Sequence, residues 1–157
     1  MLDIALVTLV VALVAGNSDA AIVQTTDAFA TAINANNETA LKALFVPDAV
    51  LCDEIPPYRW TGSGAVVQWL RDDATLTTRH GILDSTITIS PPTFVHTDDS
   101  GAYVVRPMVD TYTIGGKPQR ETGLLTFALI NERPTWRIRL MCFTKTGDTS
   151  DSSWNGP

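Results

Sequence analysis

Helical patterns fill the first half of this sequence and strand patterns fill the second, an order that few folds accommodate. Apolar residues recur at helical spacing from Ile22 to Ala35 and again from Glu38 to Phe45. A third helical segment, for which Ser63 offers an N-cap, carries Trp69 among its apolar residues. Helices followed by consecutive antiparallel strands predict an α+β domain in which the helices cover one face of a curved sheet.

The strand patterns alternate between apolar and polar residues and are separated by turn sequences. One candidate spans Ala49–Ile55, and another spans Ile82–Ile89 and resumes at Thr93–His96 after a Pro-Pro interruption. Three longer strands are predicted at Ala102–Ile114, Arg120–Asn131 and Trp136–Lys145. The chain shows no internal repeat and no second domain.

Composition excludes several classes of protein. The 157 residues are 45% hydrophobic and 18% charged, which suits one globular domain with a sizeable core. Seventeen acidic residues against 11 basic ones give a net charge of -6, and the basic residues are scattered singly, so nucleic-acid binding is not expected. Two cysteines cannot form a disulfide framework or a four-cysteine zinc site.

The N-terminal segment differs from the rest of the chain. Ile4–Ala15 is almost wholly apolar, yet it is shorter than the roughly 20 residues of a membrane-spanning helix and has the length of a signal-peptide core. Small residues at Ser18 and Ala20 predict cleavage after Ala20, hence a signal peptide at 1–20 and export to the periplasm or the medium. No Lys or Arg precedes Lys42, which leaves open a buried or interfacial helix in a cytoplasmic protein.

Residues 21–146 then form the domain, and residues 147–157 are a polar, turn-rich tail predicted to be disordered. Export would permit a disulfide between Cys52 and Cys142 without requiring one. Strand alternation turns Cys52 to the convex face of the sheet if Asp53 faces the pocket, and Cys142 to the same face if Met141 and Phe143 line it. A bridge and two free thiols both stay open.

A family resemblance rests on this order of elements and on particular segments. These are DAFATAINANNETALKALFVPDAVLCDEIPPYRWTG, the Trp-bearing third helix, GKPQRETGLLTFAL and WRI. Together they resemble the SnoaL-like branch of the nuclear transport factor 2-like superfamily from about Ala21 to Lys145. The resemblance implies a cystatin-like, ketosteroid isomerase-like cone: a curved antiparallel sheet wraps three helices around a deep, mostly apolar pocket, usually in a homodimer. Isomerases, cyclases, dehydratases, epoxide hydrolases and non-catalytic binding modules share this fold, so the fold alone does not decide function.

Ketosteroid isomerases of this superfamily provide a residue-by-residue test. The pattern VPDAVLCDE places Asp53 at the position of their general base. The same comparison places Phe29 at their oxyanion-hole tyrosine and Ala128 at their oxyanion-hole acid, and neither side chain has a polar atom. Because losing one such donor costs about 10²-fold or more in rate, steroid isomerisation by that mechanism is not expected.

Alternation along Ala102–Ile114 places Arg106, Asp110 and Tyr112 on one strand face, which the resemblance turns toward the pocket. Asp53 and Asp110 would then be two carboxylates in one apolar cavity, where burial and mutual repulsion raise a pKa and create a general acid or base. A purely structural alternative pairs Asp110 with Arg106 or Tyr112 and uses Asp53 to cap the turn that follows it.

The sequence therefore predicts a protein that binds a small apolar or aromatic organic molecule. As an enzyme it would be a cofactor-independent isomerase or lyase with Asp53 as base and Asp110 or Tyr112 as proton donor; the alternative is a dimeric binding module without chemistry. No metal is expected, because His80 and His96 lack the spacing of a metal-binding pair. The ligand-binding candidates are Phe29, Tyr58, Trp60, Trp69, Arg106, Met108, Thr126, Met141 and Phe143.

Overall fold

A computed structural model describes residues 4–132 and 135–148 of the chain, with side chains from residue 19 onward. Its helices are α1 (Ile4–Asn34), α2 (Glu38–Leu44) and α3 (Ala65–His80). Its strands are β1 (Phe45–Cys52), β2 (Arg59–Thr61), β3 (Ile82–Ile89), β4 (Phe94–Asp98), β5 (Gly101–Ile114), β6 (Lys117–Glu132) and β7 (Thr135–Asp148). The predicted α+β class, with helices that precede and cover a curved sheet, is confirmed.

The helix ends differ in detail from the sequence prediction. Helix α1 is continuous from Ile4, so it does not begin near Ile22. Helix α3 is capped at Gly64 rather than Ser63, and it ends at Gly81, whose φ of 64° is the left-handed conformation that glycine adopts without strain. Among the described residues, no helix has the length and apolar character needed to cross a membrane.

Two further expectations at the chain ends have different outcomes. Cleavage after Ala20 stays a prediction. The strand β7 extends to Asp148, so the first two residues of the expected tail belong to the sheet, whereas residues 149–157 lie outside the described residues.

The sheet has the order β2-β1-β7-β6-β5-β3, with β4 also paired to β5. All its neighbours are antiparallel except β1 and β7, which are parallel, so the expectation of a wholly antiparallel sheet was wrong at this pair. No hairpin joins these two strands, because β1 follows the helical hairpin and β7 comes last in the chain. Strand β2 was not predicted; its three residues pair with the end of β1.

One edge of β5 is covered by two successive strands. Strand β3 pairs with its second half and β4 with its first half. Between them the backbone N–H of Ser90 donates to Pro107 (2.9 Å) and that of Thr93 donates to Val105 (2.9 Å). The two prolines at 91–92 have no N–H to donate to the ladder, so this edge of the sheet bends there. The hydrogen bonds on either side of the pair keep the edge attached to β5.

Arg106 holds helix α1 against this bend. Its Nε donates to the Ser90 carbonyl (2.8 Å), and its Nη1 donates to Thr26 Oγ1 (2.7 Å) and Asp27 Oδ1 (2.5 Å). The side chain is 4% exposed. Its carboxylate partner is Asp27 rather than Asp110. A ligand-binding role for Arg106 stays a prediction.

The face of the sheet that meets the helices, here called the inner face, packs on a cluster of aromatic rings. The Phe29 ring lies 5.4 Å from Phe127, 6.2 Å from Phe45 and 6.3 Å from Trp69, measured between ring centroids. All four side chains are buried. These four residues are called the aromatic cluster below, and they fill the space between α1, α3 and the sheet.

Glycine at position 123 shapes the inner face of β6. A Cβ built there would overlap the Phe143 ring and lie 2.7 Å from the backbone oxygen of Thr144, so only glycine lets that ring cross over the strand. A register shift between Thr122 and Gly123 adds a bulge at the same place. Bulges bend a strand and increase its twist, which curves the sheet around the helices.

Candidate functional site

Three carboxylates from three different elements meet beside the aromatic cluster. Asp53 follows the end of β1, Asp73 lies on α3, and Asp110 lies on the inner face of β5. The charges of both Asp53 and Asp110 act on Asp73. The three residues are called the carboxylate cluster below. Asp73 was missed by the sequence interpretation, and the convergence of Asp53 and Asp110 on one cavity stays a prediction.

Asp53 is held in position by two donors. Trp69 Nε1 donates to Oδ2 (2.9 Å), and the backbone N–H of Glu54 donates to Oδ1 (2.6 Å). Burial raises the pKa of Asp53 above its usual value of 3.8, and these hydrogen bonds offset part of the rise. Asp53 is therefore both the capping residue of the following turn and an inward-facing carboxylate.

Asp110 is held by a serine on the neighbouring strand. Ser85 Oγ lies 3.0 Å from Oδ1 and 3.1 Å from Oδ2, so the hydroxyl donates to the carboxylate. Burial raises the pKa of Asp110, and the Ser85 hydrogen bond acts in the opposite direction. The suggested ion pair between Asp110 and Arg106 was wrong, because the arginine binds Asp27 instead.

Asp73 has the most strongly shifted pKa of the three. Loss of hydration, followed by the charges of Asp53 and Asp110, raises its pKa from 3.8 to about 6, although Asp73 is an exposed residue of the α3 surface and solvent screens part of these effects. No hydrogen bond from the described residues contributes to this shift, unlike those of Asp53 and Asp110. A carboxylate with a pKa near neutrality and free acceptor positions is suited to exchanging a proton with a ligand.

A spacing signal for Asp73 was present in the sequence. It follows Trp69 by four positions and Val66 by seven, so all three share one face of α3. The preceding Asp72 points elsewhere, since its Oδ2 accepts from Trp60 Nε1 (2.7 Å). Two consecutive aspartates are typical of the solvent-exposed side of a helix, so the sequence alone did not single out Asp73.

A second group of charged residues, centred on Lys145, lies along β6 and β7 and reaches Glu54 beside Asp53. Lys145 Nζ lies 3.1 Å from Glu121 Oε2, 3.0 Å from Asp148 Oδ2 and 3.7 Å from Glu54 Oε1. Burial and then the charge of Glu54 raise the pKa of Glu121 to about 7. Burial, followed by the charge of Glu121, raises the pKa of Tyr112, so its hydroxyl keeps its proton at neutral pH and is available as a donor.

The remaining ligand-binding candidates separate into four groups. Phe29, Trp60, Met108 and Met141 are buried core residues. Trp69 and the half-buried Phe143 lie on the inner side, and Tyr58 is 55% exposed on the loop before β2. Thr126 alternates with the buried Leu125 and Phe127 and therefore lies on the outer face, as does Ala128. A ligand-binding role for Thr126 stays a prediction.

Two surface depressions are not part of the carboxylate cluster. One, of about 380 Å³, is bordered by Asp84, Tyr112 and Gln119; the other, of about 200 Å³, is bordered by Phe45 and Arg137. Neither depression is the deep apolar pocket that the family resemblance implies. The space between the helices and the sheet is filled by the closely packed aromatic cluster. Within the described part of the chain, no group of three or more His, Cys, Asp or Glu side chains is arranged to hold a metal ion.

Comparison with known proteins gives a family and a fold. The model of the SnoaL-like domain matches residues 16–141. The fold is similar to that of an NTF2-like protein with a cystatin-like fold from Novosphingobium aromaticivorans, with a TM-score of 0.73 and 14% identity over 91% of this chain and 90% of that one. At this identity the likeness shows the fold alone, and no curated protein matches the sequence.

Two further structures have the same fold. A hexachlorocyclohexane dehydrochlorinase from Novosphingobium barchaimii LL02 has a TM-score of 0.72 and 11% identity over 87% of this chain and 92% of its own. A ketosteroid isomerase-like protein from Erwinia carotovora atroseptica has a TM-score of 0.61 and 21% identity over 82% of this chain and 95% of its own.

Proposed function

This chain belongs to the SnoaL-like domain family of the NTF2-like superfamily, and from that membership we propose that it binds a small organic molecule at the carboxylate cluster and moves a proton within it. The reaction class is an isomerisation, cyclisation or elimination that begins with loss of a proton from carbon. Such chemistry needs a base, a donor for the developing negative charge and shielding from water, and it needs no cofactor.

The convergence of Asp53, Asp73 and Asp110 carries this proposal. Each comes from a different element, so the fold places Asp73 where the charges of both Asp53 and Asp110 act on it. Like charges in close proximity destabilise a folded chain, and such arrangements are common where they shift a pKa for catalysis or binding. A group of acids with raised pKa values beside buried aromatic rings is a recurrent design for general acid–base catalysis.

The proposed base is the Asp53–Asp73 pair. Trp69 and the Glu54 amide fix the Asp53 carboxylate, while Asp73 has acceptor positions open to a ligand. Asp73 accepts the proton from carbon, and the charge of Asp53 raises the basicity of Asp73. Tyr112 lies on the same strand face as Asp110 and donates its hydroxyl proton to the ligand oxygen where negative charge develops.

A binding module without chemistry is the second candidate, and the two positions compared with an oxyanion hole favour it. Phe29 packs among the aromatic cluster and Ala128 lies on the outer face, so neither residue gives a donor to the site. In this case the carboxylate cluster would bind a cationic or hydroxyl-bearing ligand through charge and hydrogen bonds.

Hydrogen–deuterium exchange at carbon separates the two candidates without requiring that the natural product be identified. A panel of small enolisable ketones is incubated with the protein in D₂O, and loss of the α-proton signals is followed by NMR. For any ketone whose exchange the wild type accelerates, Asp73→Asn and Asp53→Asn lower the rate by about 10²-fold or more, because each removes part of the base. Asp99→Asn, in an exposed turn, is the matched control and retains the rate.

The outcomes are distinct. Full exchange in both Asn variants would show that these acids are not the base. Ligand binding that Asp73→Asn weakens, with no exchange above the solvent rate for any compound, would identify the non-catalytic module.

We also propose a homodimer through the outer face of β4 and β5. Phe94 is 52% exposed and Tyr103 is 45% exposed, and their rings lie 6.1 Å apart in an edge-to-face arrangement. The adjoining outer-face residues Val105, Thr126 and Ala128 are uncharged. The exposed His96, the register partner of Tyr103, borders this patch. Exposed aromatic rings beside uncharged side chains are typical of a protein interface.

Sedimentation velocity measures this association directly. The wild type is expected to sediment as a dimer and Tyr103→Lys as a monomer, since the lysine charge would be buried without a partner. Leu83→Lys, at another exposed apolar residue, is the control and stays dimeric. A monomeric wild type at tens of micromolar would contradict the proposal.

A further inference from the structure

The two cysteines face each other across the only parallel pair of strands in the described sheet. Cys52 on β1 and Cys142 on β7 are register partners. Their neighbours Leu51 and Met141 are also partners and are buried on the inner face, so the cysteines lie on the outer face. Paired strands lie about 4.7–4.9 Å apart, which falls within the roughly 4.4–6.8 Å Cα separation of disulfides.

The thiols also interact with each other. Burial, and then a hydrogen bond to Cys52, raises the pKa of Cys142 to about 11. Both cysteines are half-buried and free in this structure. This effect of Cys52 on the Cys142 thiol agrees with the strand register, which pairs the two residues on one face of neighbouring strands.

We propose that Cys52 and Cys142 are a redox-sensitive pair that closes to an intramolecular disulfide when the protein meets a low-molecular-weight disulfide oxidant. One cysteine thiolate attacks the oxidant and releases one small thiol, giving a mixed disulfide. The second cysteine loses its proton, attacks the protein sulfur of that mixed disulfide, and releases the second small thiol. The protein loses two electrons and two protons, and the oxidant gains both.

The bond would act on the proposed site through the backbone. Asp53 directly follows Cys52, so a covalent link at position 52 fixes the end of β1 against β7 and limits movement of the Asp53 carboxylate. The raised pKa of Cys142 means that few of its thiols are ionised at pH 7, so closure is slow there and accelerates as the pH rises.

The test uses the purified full chain, first reduced and then incubated with oxidised glutathione at pH 8. Free thiols are alkylated with iodoacetamide, and the protein is digested and analysed by mass spectrometry without reduction. The expected product is one cross-linked peptide pair that contains Cys52 and Cys142 within a monomeric chain, reversible by dithiothreitol. Two alkylated cysteines, two separate glutathione adducts, or a cross-link between two chains would each overturn the proposal.

Thermal unfolding gives a second readout on the wild-type protein itself. A bridge between residues so far apart in sequence restricts the unfolded chain and raises Tm by about 5–15 °C. The Cys52→Ser/Cys142→Ser variant is the matched control, and its Tm does not respond to the oxidant. An unchanged Tm after oxidation of the wild type would contradict the proposal. Because neither measurement involves a ligand, the result is independent of the proposed acid–base function.

Discussion

The two halves of β5 show what this fold does with one continuous surface. In the first half, inner-face Val104 is fully buried and pairs with Phe127 of the aromatic cluster. In the second half, inner-face Asp110 pairs with Glu121, so that two acids stand directly opposite each other. Apolar pairs across strands stabilise a sheet, and like-charged pairs destabilise it.

This contrast teaches that stability and chemistry occupy different stretches of the same strands. Substitutions in the apolar stretch are expected to lower the free energy of unfolding without changing the ionisation of the acids. Substitutions of the acids are expected to do the opposite: they preserve or increase stability and remove function. The following experiments sharpen or break that separation.

Phe29→Ala is expected to have the largest effect on stability. The ring contacts three other aromatic rings, and its removal leaves a cavity that the surrounding elements cannot close. The free energy of unfolding falls by about 3–5 kcal/mol, measured by urea denaturation. Tyr103→Ala, which removes an exposed ring, is the control, and it lowers the free energy of unfolding by less than about 1 kcal/mol. Both variants are measured at a concentration where the protein is monomeric. Equal losses in both variants would contradict the distinction between a packed and an exposed ring.

Arg106→Met is expected to cost less, about 2–3 kcal/mol. The methionine fills much of the volume, but the Ser90 carbonyl and the Thr26 hydroxyl lose their buried donor. Asp27 is 57% exposed and becomes hydrated, which keeps the loss below that of a fully buried ion pair. Arg106→Lys separates charge from geometry, since lysine keeps the charge and loses the fork that reaches Ser90 through Nε and Thr26 and Asp27 through Nη1. A lysine variant as stable as the wild type would show that the guanidinium fork is dispensable.

The sequence was sufficient for most of the fold because local patterns were strong and consistent. Strand β3 was predicted at its observed bounds, and the long strands differed only at their ends. The parallel pairing of β1 with β7 was not predictable in the same way, because it joins segments far apart in the chain and no turn sequence marks it. The three-residue β2 is too short for any periodicity to appear.

The site was partly predictable for a related physical reason. Alternation placed Asp110 and Tyr112 on the inner face correctly, since it depends only on the strand. Arg106 obeyed the same alternation, yet its partners come from α1 and the bend after β3, which only the packing of those elements reveals. Asp73 was missed because its pKa depends on Asp53 and Asp110, two groups brought to it by the tertiary fold.

Asp73→Asn is expected to change stability in a pH-dependent manner. The folded pKa of about 6 exceeds the usual 3.8, so the folded state retains a proton that the unfolded state has lost between these values. The contribution of Asp73 to the free energy of unfolding is therefore fully present below about pH 4 and is lost as the pH rises through 6. At pH 7 the variant is more stable than the wild type by about 1 kcal/mol, since solvent contact screens part of the repulsion.

Urea denaturation of both proteins from pH 4 to pH 8 measures this difference. The two curves converge at low pH, where Asp73 is protonated in both the folded and the unfolded wild type. Asp99→Asn serves as the control because its position in an exposed turn predicts a constant difference from the wild type. A variant less stable than the wild type at pH 7 would show that Asp73 makes a favourable contact rather than a repulsive one.

Ser85→Ala is expected to have the smallest effect on stability and a specific effect on ionisation. The hydroxyl is exposed, so its loss changes the free energy of unfolding by less than about 0.5 kcal/mol. It is also the leading group that lowers the pKa of Asp110, which therefore rises further in the variant. A less ionised Asp110 repels Asp73 less, so the pKa of Asp73 falls. Carboxyl ¹³C NMR titration measures both shifts. Opposite movements of the two pKa values would show that the acids act as one coupled group. An unchanged pKa of Asp73 would show that Asp73 titrates independently of Asp110.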